Sequence, residues 1–145
     1  MGTGSLSAAL KKAVERNVAA AEIYRSIARK SEERWLAGMA AAWREQRENL
    51  SRELAGIALS EADASPSQIE LPPDLDPALV FSPGNLRRTV EAMKALELDD
   101  LALFKAMAQA RWQNPTRAQQ FETIASSAKL RIGIADSHLD LLSLG

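Results

Sequence analysis

The stretch Met39–Leu50, MAAAWREQRENL, decides the fold. Its apolar residues return at helical spacing, and the same stripe reaches back to Leu36 and on to Leu54 and Ile57. At about 100° per residue, Trp43 falls at the centre of that stripe, whereas Glu45 and Glu48 point well away. This helix therefore aims an indole at the centre of a bundle, with the amide of Gln46 flanking the same stripe three residues on.

Working outward, the periodicity predicts four helices, over about 5–30, 31–59, 83–111 and 115–143. The first carries Leu10, Ala13, Val14, Ala21, Tyr24 and Ala28 on one face. The third carries Leu86, Val90, Met93, Glu97, Leu101, Phe104 and Ala108, and the fourth Phe121, Ile124, Ala128, Ile132, Ala135, Leu139 and Leu142. Ser31 before Glu32 and Glu33, Ser82 before Pro83, and Asn114 before Pro115 are the expected helix starts. No segment shows sustained strand alternation, and no sheet is expected.

Within each half the helices are joined by a few residues and must be antiparallel neighbours. Between the halves lies a crossover over about 60–82, rich in proline and acid. A helix of about 28 residues is about 42 Å long, and twenty-odd extended residues span roughly 70 Å. The crossover can thus run the length of the bundle and leave the second and third helices parallel. Its DPALVF segment is expected to turn and pin Leu79, Val80 and Phe81 onto the bundle.

Composition bounds the function by subtraction. The chain has 145 residues, suited to one domain over 1–145, with a net charge of -1 and neither a basic stripe for nucleic acid nor a signal for a membrane. The absence of cysteine removes thiol chemistry, disulfides and iron–sulfur clusters, and a cytoplasmic location is expected. No nucleophile–base pair and no phosphate-binding glycine loop is present, so no catalytic residue is assigned and a non-enzymatic role is favoured.

The two halves echo each other: YRSIA at Tyr24–Ala28 matches FKAMA at Phe104–Ala108, and WLAGMA at Trp35–Ala40 matches QFETIA at Gln120–Ala125. Two such hairpins joined by a long crossover resemble the ferritin-like superfamily, above all its rubrerythrin-type four-helix bundles. The resemblance implies an all-α bundle in which a Glu on the first helix of each half and Glu-x-x-His on the second surround two metal ions. Those positions here hold Asn17, Trp43, Gln46, Glu97, Ala128 and Arg131, and only Glu97 keeps a ligand of the family's type. Glu15, Glu22, Asp99 and Glu122 lie off the stripe centres. The sole histidine, His138, follows Ala135 at the relevant spacing and makes no such motif; a surface or capping role is expected for it.

The resemblance therefore implies a degenerate di-iron site with no cofactor. Asn17, Gln46, Glu97 and Arg131 read as a satisfied polar core in which Glu97 and Arg131 neutralise each other. Three roles stay open: a structural, interaction or regulatory module; a protein holding iron or another divalent metal at an atypical site around Glu97; and a small-molecule-binding bundle using the former metal cavity. The charge run WREQRE reads as a solvated helix face. Leu130, Ile134 and Leu141, with Leu103 on the third helix, form an apolar face opposite the core, from which a homo-oligomer is expected.

Overall fold

The computed structural model describes residues 2–60, 68–77 and 80–144. Four helices dominate it: α1 (Leu6–Lys30), α2 (Arg34–Ser60), α3 (Leu86–Ala108) and α4 (Thr116–Leu144), with two short strands, β1 (Thr3–Gly4) and β2 (Ile69–Glu70).

Two apolar clusters set the topology. One gathers Leu6 and Leu10 of α1, Leu54 and Ile57 of α2, Phe104 and Met107 of α3, and Phe121 and Ile124 of α4. The other gathers Tyr24 and Ile27, Leu36 and Trp43, Val90 and Met93, and Ala135. The start of α1 thus lies beside the end of α2, the end of α3 and the start of α4. Each hairpin is antiparallel, and α2 runs parallel to α3.

The crossover follows α1 back along the bundle. Ile69 is buried in the first cluster, Lys12 pairs with Asp74 at 2.6 Å, and Val80 is buried in the second cluster with Leu75 and Phe81 packed against it. The Val80 amide donates to the Pro77 carbonyl at 3.3 Å. Leu79, expected to pin this segment, lies outside the described residues.

The expectation of no sheet is corrected at one place. Thr3 and Gly4 pair antiparallel with Glu70 and Ile69, and the Leu71 amide donates to the Gly2 carbonyl at 3.0 Å. Two residues per strand are too few to show alternation in a sequence. The pairing fastens the crossover to the chain's start, and Gly4 permits it, because a Cβ there would stand 2.9 Å from both Ala8 Cβ and Leu71 Cδ1.

Helix starts also shift. Pro83 and Gly84 form a turn, with Gly84 at φ 76, so α3 begins only at Leu86 with Asn85 as its cap. Buried Thr89 holds that turn: its hydroxyl accepts from the Ser82 amide at 3.0 Å and has the carbonyls of Asn85 (3.0 Å) and Ser82 (3.2 Å) in reach of its one hydrogen. Ser31 closes α1 and accepts from the Glu33 amide at 3.2 Å, so α2 begins at Arg34. At its far end α3 stops at Ala108, after which Trp112 donates to the Met107 carbonyl at 2.9 Å and stacks on Phe121. Leu103, expected outside, is buried in the first cluster.

Core and surface contributions separate cleanly. Phe104→Ala is expected to cost about 3–5 kcal/mol through the cavity it leaves. Asp74→Asn, which removes a solvated partner of Lys12, should leave the unfolding midpoint where it was. Urea denaturation of both variants checks this pair of outcomes.

Candidate functional site

Between the two apolar clusters lie five charged side chains, Arg16, Arg47, Glu97, Asp100 and Arg131, each at most 3% exposed. All four helices contribute. Glu97 and Asp100 stand three residues apart on α3, so they share one face of that helix. Arg16 comes from α1, Arg47 from α2 and Arg131 from α4.

The five form a row of alternating sign. Arg16 Nε donates to Asp100 Oδ1 at 2.6 Å. Arg47 Nη2 lies 2.8 Å from Asp100 Oδ2 and 2.8 Å from Glu97 Oε2. Arg131 Nε donates to Glu97 Oε1 at 2.7 Å. The two Arg47 contacts have ion-pair distances but miss the hydrogen-bond directions, so they are Coulombic rather than directed.

Neutral groups extend the row, although Arg16 Nη2, Arg47 Nε and Arg131 Nη2 find no hydrogen-bond partner among the described residues. Asn17 accepts from Arg47 Nη1 at 2.7 Å and returns its own amide N–H to the Ala13 carbonyl at 2.7 Å. The Tyr24 hydroxyl donates to Glu97 Oε2 at 2.5 Å. At one end the Pro73 carbonyl of the crossover accepts from Arg16 Nη1. At the other, Gln46 Oε1 accepts from Arg131 Nη1 at 2.9 Å.

The electrostatics follow from this order. Burial pushes the Glu97 carboxyl up, but the guanidiniums of Arg47 and then Arg131 outweigh it and hold the pKa below the ordinary 4.5. Burial raises Tyr24 well above its ordinary 10.0, and the negative charge of Glu97 adds to the rise, so the phenol stays a neutral donor. Burial works against the charge of Arg47, yet Glu97 and Asp100 raise its pKa above the usual guanidinium value.

Of the positions singled out in the sequence, Asn17, Glu97 and Arg131 meet in the row, with Gln46 at its edge. Gln46 is exposed overall and reaches inward only through its amide oxygen. Trp43 and Ala128 touch the two apolar clusters that flank the row, and Trp43 packs edge-on to Tyr24 with ring centroids 5.5 Å apart. His138 stacks on Trp35, with ring centroids 4.3 Å apart.

Sequence reasoning missed Arg16, Arg47 and Asp100. The solvated reading of WREQRE fails at Arg47, which is fully buried. Its signal was in the wheel. Arg47 lies about 40° from Trp43, nearer the stripe's centre than Gln46 at about 60°.

Removing Glu97 should hurt more than removing Arg131, because it leaves Arg131 with no carboxylate and Arg47 with Asp100 alone, whereas Glu97 without Arg131 still faces Arg47. Glu97→Ala is expected to cost about 3–5 kcal/mol and Arg131→Ala on the order of 3 kcal/mol, with the double variant below the sum. The row also sets both pH limits. The folded pKa of Glu97 lies below the unfolded one, so its contribution is complete above about pH 4.5 and is lost as pH falls through the folded value. For Tyr24 the folded pKa is the higher, so its contribution is complete below pH 10.0 and fades as pH rises. Tyr24→Phe should cost about 2 kcal/mol at neutral pH and flatten the alkaline limb of a stability–pH curve.

No family model matches the chain, and no curated protein matches it in sequence. Its structure is similar to a crystal structure from Thermotoga maritima, of a protein described as a candidate ferritin-like diiron-carboxylate protein. The TM-score is 0.81 at 14% identity, over 97% of each chain. At that identity the likeness bears on the fold and not on activity. Two antiparallel hairpins, joined by a crossover that runs the bundle's length, give this chain the ferritin-like fold.

Proposed function

We propose that this chain is a non-catalytic ferritin-like bundle in which a guanidinium–carboxylate row takes the place of two metal ions, and that it serves as a structural, interaction or regulatory module. One observation carries the reading. Both oxygens of Glu97, the one family-type ligand among the matched positions, are already taken by Arg131, Arg47 and Tyr24.

The donor set does not fit a di-iron centre. A permanently protonated guanidinium cannot donate an electron pair to a cation, and Arg47 and Arg131 bring positive charge to the place where the metals would need negative charge. Trp43 and Ala128 offer no donor atom at all. Among the described residues, no group of three or more His, Cys, Asp or Glu stands ready to hold a metal. No reaction step is therefore assigned to a metal.

The apolar face supports the interaction part of the proposal. Leu130, Ile134 and Leu141 are 70%, 44% and 64% exposed, so the described part of the crossover leaves them open. We place a homo-oligomer contact there. A cytoplasmic location accords with the cysteine-free sequence, and among the described residues no helix is long and apolar enough to cross a membrane.

Protein expressed with iron available should carry no stoichiometric transition metal by elemental analysis and show no ferroxidase activity; a metal bound at Glu97 would overturn the reading. Restoring the family's ligands by Asn17→Glu, Trp43→Glu, Gln46→His, Ala128→Glu and Arg131→His should still fail to load metal while Arg47 holds Glu97, and should succeed only when Arg47 is replaced as well. For the apolar face, sedimentation should show an oligomer that Leu130→Glu with Ile134→Glu converts to monomer. A wild-type monomer at micromolar concentration would count against that contact.

A further inference from the structure

The charged row does not balance. Three guanidiniums face two carboxylates, and the row begins and ends on arginine. At the Arg16 end a carbonyl of the crossover accepts one N–H, and the exposed carboxylate of Asp74, whose pKa is lowered first by its hydrogen bond and charge pairing with Lys12, also feels the charge of Arg16. At the Arg131 end, among the described residues, the acceptor beyond the row is the neutral amide oxygen of Gln46. Arg131 Nη2 is buried and has no hydrogen-bond partner among the described residues.

That end lies at a cleft. Arg131 and Gln46 help line a hollow of about 390 Å³ between α2 and α4. Leu50 and Ile124, both buried, give it apolar wall, while the exposed Thr123 and Ser127 add hydroxyls. Glu53, exposed on α2 two turns from Gln46, is the one acid on the lining.

We propose that this cleft binds a small organic monoanion through its carboxylate, which replaces the Gln46 amide as the acceptor for Arg131. A carboxylate receives both terminal nitrogens of a guanidinium in parallel, and such charge-assisted bonds are about twice as strong as those to a neutral amide. The exchange requires Gln46, exposed overall, to swing aside and uncover Arg131 Nη2. It supplies the negative charge that the buried row lacks. Leu50 and Ile124 suit an apolar tail, and the charge of Glu53 disfavours a second carboxylate at the far end.

The proposal rests on the reading above only in taking Arg131, and no metal, as the charge at this end of the row. Titration is therefore done on protein kept in chelator, so that a metal found elsewhere leaves the result interpretable. The probe is hexanoate, followed by the amide resonances of Thr123 and Ser127, with hexanamide and adipate as controls. Hexanoate should bind at about 1 mM, and both controls about tenfold more weakly. Gln46→Glu places a carboxylate on Arg131 from within the chain; it should melt higher than the wild type and weaken hexanoate about tenfold. Ser127→Trp, which fills the cleft from its exposed side and leaves the row intact, should abolish binding.

Equal binding of hexanoate and hexanamide would overturn the proposal, as would unchanged binding to either variant. So would a cleft that takes no hexanoate and is found covered by a second copy of the chain.

Discussion

Arg47 is the residue on which the centre of this bundle depends. One guanidinium from α2 sits between two carboxylates of α3, at 2.8 Å from each, and a third contact ties it to Asn17 of α1. Taking such charges out of water costs several kcal/mol per ion, and only close opposite charge offsets it. The arrangement is consequently all or nothing. Glu97 is tolerable in the core because Arg47 and Arg131 are there, and Asp100 because Arg16 and Arg47 are there.

The row and the apolar clusters divide the labour of stabilisation. Above and below the charges, leucine, phenylalanine and methionine side chains of all four helices bury surface at the usual gain of roughly 25 cal/mol per Å². The charges themselves add little net stability by comparison, but they determine how the helices are turned and how far each has slid. A one-turn slip of α3, about 5.4 Å, would bring one acid close to the place the other had held beside Arg47 and carry the second beyond the row, so that an arginine at one end would lose its carboxylate in a dry interior.

Much of this was legible in the sequence, and the reasons for success and failure differ. Helix number, hairpin pairing and the crossover's path followed from periodicity and reach, which are properties of long segments. The inward placing of Asn17, Trp43, Glu97 and Arg131 followed from the wheel and the resemblance, and the contact of Glu97 with Arg131 followed from the cost of leaving either alone. Arg16, Arg47 and Asp100 escaped because charged residues are usually placed outside by their type, and a wheel shows their burial only if charge is ignored. The β1–β2 pairing escaped because it depends on a close approach at Gly4 that no local pattern announces.

The unequal distribution of charge between the hairpins has a consequence for assembly of the chain itself. The first hairpin brings Arg16 and Arg47 to the centre and no acid, while the second brings Glu97 and Asp100 with Arg131. The halves echo each other in apolar pattern and would, on that ground alone, mate with copies of themselves. Two first hairpins face to face would crowd four guanidiniums into a water-free core; two second hairpins would bring four carboxylates against two. Each half can therefore find relief only in the other, and a long crossover, which would otherwise let halves of different molecules mix freely, joins two pieces that recognise each other by sign.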